Sequence, residues 1–465
     1  MSTEIQHFID GRLVPGGSGR TAPVFNPATG EVSGQVPLAA DSEVAAAVEV
    51  ARRAFPAWSE TTPLRRARIL NRFLHILEER IDDLAAVISA EHGKVISDAK
   101  GEVQRGIEVV EFATAAPLLL KGEVTENVGT RIDSHSVRQP LGVVAGITPF
   151  NFPAMVPMWM FPVALACGNC FILKPSERDP SAALLLAQWL KDAGLPDGVF
   201  NVVHGDKTAV DALLAHPDIS AVSFVGSTPI ARYIYETAAR HGKRAQALGG
   251  AKNHMIIMPD ADMDQAVDAL MGAAYGSAGE RCMAISVAVP VGEATANALV
   301  ERLAPRVRDL RIGPGTDPEA EMGPLVTRQH LDKVRGYIDE GIAAGAELVV
   351  DGRDFRRQGY ENGFFIGGTL FDRVTPEMKI YREEIFGPVL SVIEFEDAEE
   401  AVRIANDTPY GLAAAVWTSN LSKAHLTAKA LRAGSVWVNQ YDGGDMTAPF
   451  GGFKQSGNGR DKSLH

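Results

Sequence analysis

From Pro140 onward the hydrophobic positions fall into short unbroken apolar runs, separated by stretches in which apolar residues recur every three or four positions. Unbroken runs fit strands buried on both faces, and the intervening spacing fits helices laid over them. The pattern predicts strands at Gly142 to Ile147, Cys170 to Leu173, Val199 to Val203 and Ala221 to Val225, one ending near Leu248, and one at His254 to Met258. Helices are predicted between them, one running to about Cys167 and another over Ala182 to Ala193. Such a succession implies a parallel sheet wound with helices. The rhythm resumes with a strand at Ile285 to Val291, helices to about Leu310 and over Arg328 to Ala344, and strands near Leu348, Val389 and Ala413. That makes a second α/β unit.

Upstream the pattern differs. Phe8 to Gly34 reads as short strands and turns. A helix after Asp41-Ser42 places Val44, Val48, Ala51 and Phe55 on one face; the next has Thr62 as N-cap, Pro63 in its first turn, and Ile69, Leu70, Phe73 and Leu77 as its stripe. A third runs from Asp82 to near Gly93, and a fourth, about Gly101 to Leu120, carries Arg105. Lys121 to Arg138 then turns polar and β-branched around Asn127-Val128-Gly129-Thr130, which predicts a long hairpin. A polar hairpin protruding from an α/β body suggests assembly.

Composition narrows the class. With 465 residues, 46% hydrophobic and 22% charged, the chain has the make-up of a soluble globular protein with room for two or three domains. Its 3 cysteines and an N-terminus without secretory features place it in the cytoplasm as an expectation. A net charge of −13 argues against general nucleic-acid binding. Met155 to Leu173 has no charged residue and the length of a membrane span, but Pro157, Pro162, Gly168 and Asn169 break it into a buried helix, a turn and a buried strand. Cys167 and Cys170 within it lack a second pair, so packing is expected and a metal is not.

Candidate chemistry centres on Gly276-Ser277-Ala278-Gly279-Glu280-Arg281-Cys282-Met283-Ala284, where Cys282 alone of the cysteines sits among small and polar residues. A glycine-rich approach can present backbone N–H groups to a sulfur and lower its pKa, so Cys282 is the candidate nucleophile; the alternative is a small buried hydrophobe. Wound sheets bind ligands at the carboxyl ends of their strands, where Pro149-Phe150-Asn151, Lys174-Pro175-Ser176-Glu177 and Gly226-Ser227-Thr228 fall. Phe224-Val225-Gly226-Ser227-Thr228 runs from strand to helix start, so its N–H groups could hold a phosphate. Lys174 and Glu177 could bond ribose hydroxyls; a plain turn and a solvated pair are the alternatives.

These stretches, with Pro149-Phe150-Asn151-Phe152-Pro153, Leu248-Gly249-Gly250 and Glu384-Ile385-Phe386-Gly387-Pro388, resemble the aldehyde dehydrogenase superfamily in order and spacing over nearly the whole chain. Phe150 to Ser181, Gly249 to His254, Gly279 to Ala284, Asp351 to Phe355 and Gly359 to Gly363 look like its CoA-acylating methylmalonate-semialdehyde branch. The resemblance implies a Rossmann-type NAD domain over residues 1–120 and 139–247, an α/β catalytic domain over 248–434, and an oligomerisation hairpin and C-terminal arm over 121–138 and 435–465.

It further implies that Cys282 adds to an aldehyde carbonyl while the Asn151 amide and the Cys282 backbone N–H hold the oxyanion. NAD would take the hydride, with Glu384 on the nicotinamide ribose, Lys174 and Glu177 on the adenosine ribose, and Thr148, Phe150, Arg178, Gly226, Ser227 and Gly249 as further cofactor positions. Arg105 and Arg281 would hold a substrate carboxylate, and CoA would be the co-substrate that carries off acetyl or propanoyl from malonate or methylmalonate semialdehyde, with decarboxylation.

Where hydrolytic relatives hold a glutamate before Leu-Gly-Gly, this chain has Ala247, as fits a thioester released by a thiol. Gly434 to His465, including Asp442 to Met446 and Gly451 to Gly457, instead resembles hydrolytic aminoaldehyde dehydrogenases, which keeps an aminoaldehyde as the alternative substrate. An inactive, crystallin-like relative is the non-enzyme alternative; Cys282, Asn151 and Glu384 together speak against it. The sequence ends at His465, short of the strand that the superfamily adds to its subunit sheet, and the expectation is a homo-oligomer in which the hairpin carries more of the assembly, a dimer before a tetramer.

Overall fold

The apolar runs become the centres of two sheets. The computed structural model describes residues 3–441 and 448–462; Asp442 to Met446 and the last residues lie outside them. In the larger sheet Val143–Ile147 pairs in parallel with Cys170–Lys174 on one side and Ile219–Val225 on the other. Phe200–Val202 extends the first side and Arg244–Leu248 the second. The chain builds outward one way through Phe200–Val202, then crosses back to build the other way. The switch point therefore lies between Val143–Ile147 and Ile219–Val225, whose carboxyl ends carry Thr148 to Asn151 and Gly226-Ser227. Both inner strands, Val143–Ile147 and Cys170–Lys174, are buried throughout, as two-sided helix cover demands.

The second sheet has seven strands in the order Glu347–Val350, Thr369–Asp372, Val389–Val392, Ile285–Pro290, Asn253–Ile257, Ala413–Trp417 and Ser435–Val438; only Glu347–Val350 pairs antiparallel. Each sheet has its own apolar core.

Four expectations are corrected. The fourth helix is Ile96–Thr114, followed by a short Ala116–Leu119 turn, so it starts a turn earlier than Gly101. The hairpin strands are Val124–Gly129 and Ile132–His135, with the reversal at Thr130-Arg131; Asn127, at φ 54°, sits in a bulge. Cys170 is buried, but Cys167 is only half-buried. The described part of 435–465 is no separate arm. Ser435–Val438 is the edge strand beside Ala413–Trp417, and Gly457–Asn458 runs antiparallel to Arg244–Leu248. The last segment thus touches both sheets: Ser456 Oγ donates to Gly250 O at 2.9 Å and accepts the Gly411 N–H at 3.0 Å. Among the described residues no helix is long and apolar enough to cross a membrane, and no cluster of ligating side chains suits a metal ion.

Candidate active site

The chain leaves the helix Met263–Tyr275 through a tight turn at Gly276–Gly279, where Ser277, Ala278 and Gly279 have φ of 51°, 53° and 72°. Two non-glycine residues in the left-handed region cost energy that the surroundings must supply. Asp98 Oδ2 supplies part of it by accepting the Ser277 N–H at 2.9 Å. The turn delivers Cys282 just ahead of the strand Ile285–Pro290. Buried Asn253 then clamps the peptide on both sides of Met283, its Nδ2 donating to Cys282 O and Ala284 O at 2.9 Å each.

Asn151 meets the sulfur from the other sheet. Its Nδ2 donates to Glu280 O at 3.0 Å and lies 3.6 Å from Cys282 Sγ. Burial pushes the half-buried thiol up to about 11; the Asn151 amide and the cysteine's own N–H pull the other way, and the Glu384 carboxylate adds to the rise. The expected lowering of the thiol pKa does not occur, because desolvation of a thiolate outweighs two neutral donors.

Asn151 is fixed by a buried pair absent from the sequence reading. Lys94 Nζ donates to Asn151 O at 2.6 Å and to Glu102 Oε2 at 2.7 Å, both side chains being 0% exposed. Glu102 Oε1 accepts the Ala154 and Met155 N–H groups at 2.9 and 3.1 Å, at the start of the helix Met155–Ala166. Asp98, Glu102 and Arg105 are spaced four and three apart, so one stripe of Ile96–Thr114 carries all three. With the helix starting at Ile96, that charged stripe beside buried Val103, Ile107 and Val110 is the signal that could have marked Asp98 and Glu102; with a start at Gly101 it is hidden.

Behind Asn151 the carboxyl of Glu280 is enclosed. Its Oε1 accepts the Val326 N–H at 3.4 Å, and its oxygens lie 3.7 Å from His92 Nε2 and 3.6 Å from His330 Nε2. Burial pushes Glu280 up to about 8 and His330 down to about 4, and holds His92 well below its usual value, so these contacts are not ion pairs at neutral pH. Phe150 packs among His92, His330 and Phe386, with the Arg178 guanidinium 4.9 Å from its ring centre.

A cleft of about 410 Å³ opens at Cys282, lined by Arg105, Arg281, Lys462 and the aromatic rings of Phe152, Trp159 and Trp437, with no carboxylate among its described lining residues. Arg281 reaches it in company: its Nη2 donates to Asp98 Oδ1 at 2.8 Å.

On the other side of the sulfur stand the expected cofactor positions. Thr148 follows the strand Val143–Ile147, and its buried Oγ1 has no partner among the described residues. Lys174 Nζ is buried and donates to Gly205 O at 2.6 Å and Glu177 Oε2 at 3.3 Å. Gly226 donates its N–H to Leu248 O at 3.1 Å, which corrects the expectation that this N–H faces a phosphate; Ser227, as N-cap of Thr228–Arg240, begins the helix end that can. Gly249 is pinned through its N–H to Ser456 O at 2.9 Å. Glu384 Oε1 accepts the Ala251 N–H at 3.0 Å, and its carboxylate lies so close over Gly250 that a Cβ there would collide with it. Burial raises the Glu384 pKa.

Two wound sheets meet at a turn-borne cysteine whose sulfur faces an asparagine amide. The chain belongs to the aldehyde dehydrogenase family, whose profile matches residues 13–465. Among known proteins it is 57% identical to a malonate-semialdehyde dehydrogenase of Pseudomonas aeruginosa, over 97% of this chain and 91% of that one. It is 47% identical to the mouse mitochondrial acylating methylmalonate-semialdehyde/malonate-semialdehyde dehydrogenase, over 94% and 81%. A Sinorhizobium meliloti structure assigned as a methylmalonate-semialdehyde dehydrogenase and complexed with NAD superposes with a TM-score of 0.99 at 58% identity, covering 100% of this chain and 95% of that one.

Proposed function

We propose that this chain oxidises malonate and methylmalonate semialdehyde with NAD and hands the acyl group to CoA, releasing carbon dioxide. The observation that carries the reading is the cleft at Cys282, where the charged side chains of the described lining, Arg105, Arg281 and Lys462, are all cationic. Such a lining attracts a carboxylate-bearing aldehyde and repels a protonated aminoaldehyde. The relatives' names agree with it.

The residues suit a dinucleotide. The Thr148 hydroxyl, without a partner among the described residues, the Ser227 helix start, the Lys174 and Glu177 pair, and Glu384 over Gly250 are the groups that would hold it, with Phe150, Arg178 and Gly249 beside them. Bound NAD supplies the hydride acceptor that converts the adduct into a thioester. Cys282 thiolate forms the carbon–sulfur bond to the aldehyde carbon, and the carbonyl electrons move onto oxygen. The Asn151 Nδ2, 3.6 Å from the sulfur, and the Cys282 N–H are the donors that would stabilise the charge that develops.

Among the described residues that line the cleft, the thioester meets no base placed for water. Ala247 is buried in the strand Arg244–Leu248, and no carboxylate lines the described cleft, so water attack is slow while the CoA thiol brings its own nucleophile. Loss of the β-carboxylate as carbon dioxide leaves an enolate on the thioester oxygen, held by the same two donors, and its protonation gives acetyl or propanoyl thioester.

Residues 1–120 and 139–247 hold NAD, 248–434 carry the thiol, and the hairpin 121–138 joins copies into a homo-oligomer in the cytoplasm. Exposed Val124, Val128 and Ile132 on that hairpin, at 74%, 53% and 58%, support this last point, since an isolated two-stranded hairpin is marginal alone. The test is a product assay with malonate semialdehyde and NAD. Without CoA a burst of about one NADH per site should precede a much slower rate, as expected of covalent catalysis with blocked deacylation, and CoA should restore turnover to acetyl-CoA. Full-speed turnover to a free acid without CoA refutes the acyl acceptor named here.

A further inference from the structure

We propose that Asp98 is a positioning residue that aims Arg281 at the substrate carboxylate; this rests on the reading of Arg281 given above. Asp98 stands in the first turn of Ile96–Thr114, on the same stripe as Arg105, so one helix presents one of the cleft's arginines and anchors the other. Its two oxygens do different work. Oδ1 accepts Arg281 Nη2 at 2.8 Å, and Oδ2 accepts the Ser277 N–H at 2.9 Å. The carboxylate therefore bridges the guanidinium and the left-handed turn that leads to Cys282.

The pair is shielded, Arg281 being 18% exposed and Asp98 23%. The guanidinium also lies flat over Gly276, where an added Cβ would stand 2.8 Å from its central carbon. Only glycine leaves that space. An arginine side chain carries about 2 kcal/mol of rotamer entropy, and one held by a carboxylate on one side and a bare peptide on the other loses little more on meeting its ligand. Asp98 takes one of the outer donors of the guanidinium fork. Ser277 and Arg281 thus share one support in the turn that leads to Cys282, and that support fixes the reach from carboxylate anchor to sulfur. That distance selects among semialdehydes by the number of carbons between their two functional groups.

The test is steady-state kinetics of the parent, Asp98→Asn, Asp98→Glu, Arg281→Leu and the Asp98→Asn/Arg281→Leu double variant, with malonate semialdehyde and with propanal, which lacks the carboxylate. Asp98→Asn keeps an acceptor for one neighbour but turns an amide N–H against the other, so it loosens Arg281 while conserving volume. We expect KM for malonate semialdehyde to rise at least tenfold with kcat within threefold, kcat/KM for propanal to fall less than threefold, and Asp98→Glu to recover part of the loss. In the Arg281→Leu background Asp98→Asn should add nothing. Equal losses on both aldehydes make Asp98 a merely structural support of the turn and overturn the proposal, as do additive losses in the double variant. A parent that prefers malonate semialdehyde, loses that preference in Arg281→Leu and keeps it in Asp98→Asn overturns this proposal alone. A parent with no preference for the carboxylate overturns the functional reading and this proposal with it.

Discussion

Replacing Glu280 by Gln removes a carboxyl group that the fold stores in its protonated form. In the folded chain Glu280 is pushed up to about 8 by burial, whereas the unfolded chain releases the proton near its ordinary 4.5. Between those values the folded state binds the extra proton, so stability falls as pH rises, by about 1.4 kcal/mol per pH unit from this group. The contribution is intact below pH 4.5, shrinks through neutrality, and levels off above pH 8. Gln keeps an oxygen for the Val326 N–H and brings an amide that cannot ionise toward His92 and His330. The stability difference between variant and parent should therefore grow by about 2–3 kcal/mol from pH 5 to pH 7 in favour of the variant, and stop growing above about pH 8. Urea unfolding at four or five pH values, with free energies extrapolated for both chains, measures it. A difference that is the same at every pH refutes the assignment of a stored proton to Glu280.

Two further outcomes follow from the site. Because burial pushes Cys282 up to about 11, its alkylation by iodoacetamide in the cofactor-free protein should rise about tenfold per pH unit through pH 9, tracking the thiolate fraction; an inflection near pH 8 would contradict the desolvation argument. Lys94→Met leaves the Glu102 carboxylate buried without its cation and should cost about 3–5 kcal/mol in urea unfolding, while a loss under about 1 kcal/mol would show that the two N–H groups of Ala154 and Met155 suffice.

Local pattern carried the regular elements because buried parallel strands need continuous apolar runs: Val143–Ile147, Cys170–Lys174 and Asn253–Ile257 all stand within a residue of where the pattern placed them. The turn at Thr130-Arg131 was not legible, since the bulge at Asn127 shifts a register that no apolar face enforces on an exposed hairpin. Cys282 was singled out by its neighbours in sequence, and Asn151 by its place after a strand. Their meeting at 3.6 Å depends on how the two sheets dock. The same holds for charge. Asp98, Lys94 and Glu102 read as ordinary helix and loop charges, and only the packing of Ile96–Thr114 against the Cys282 turn and the Asn151 loop makes them an anchor and a buried ion pair. The thiol pKa went against the local reading for that reason too. Neighbours in sequence can offer hydrogen bonds to a sulfur, but the depth of solvent exclusion around it is a property of everything packed above it, and that term is the larger.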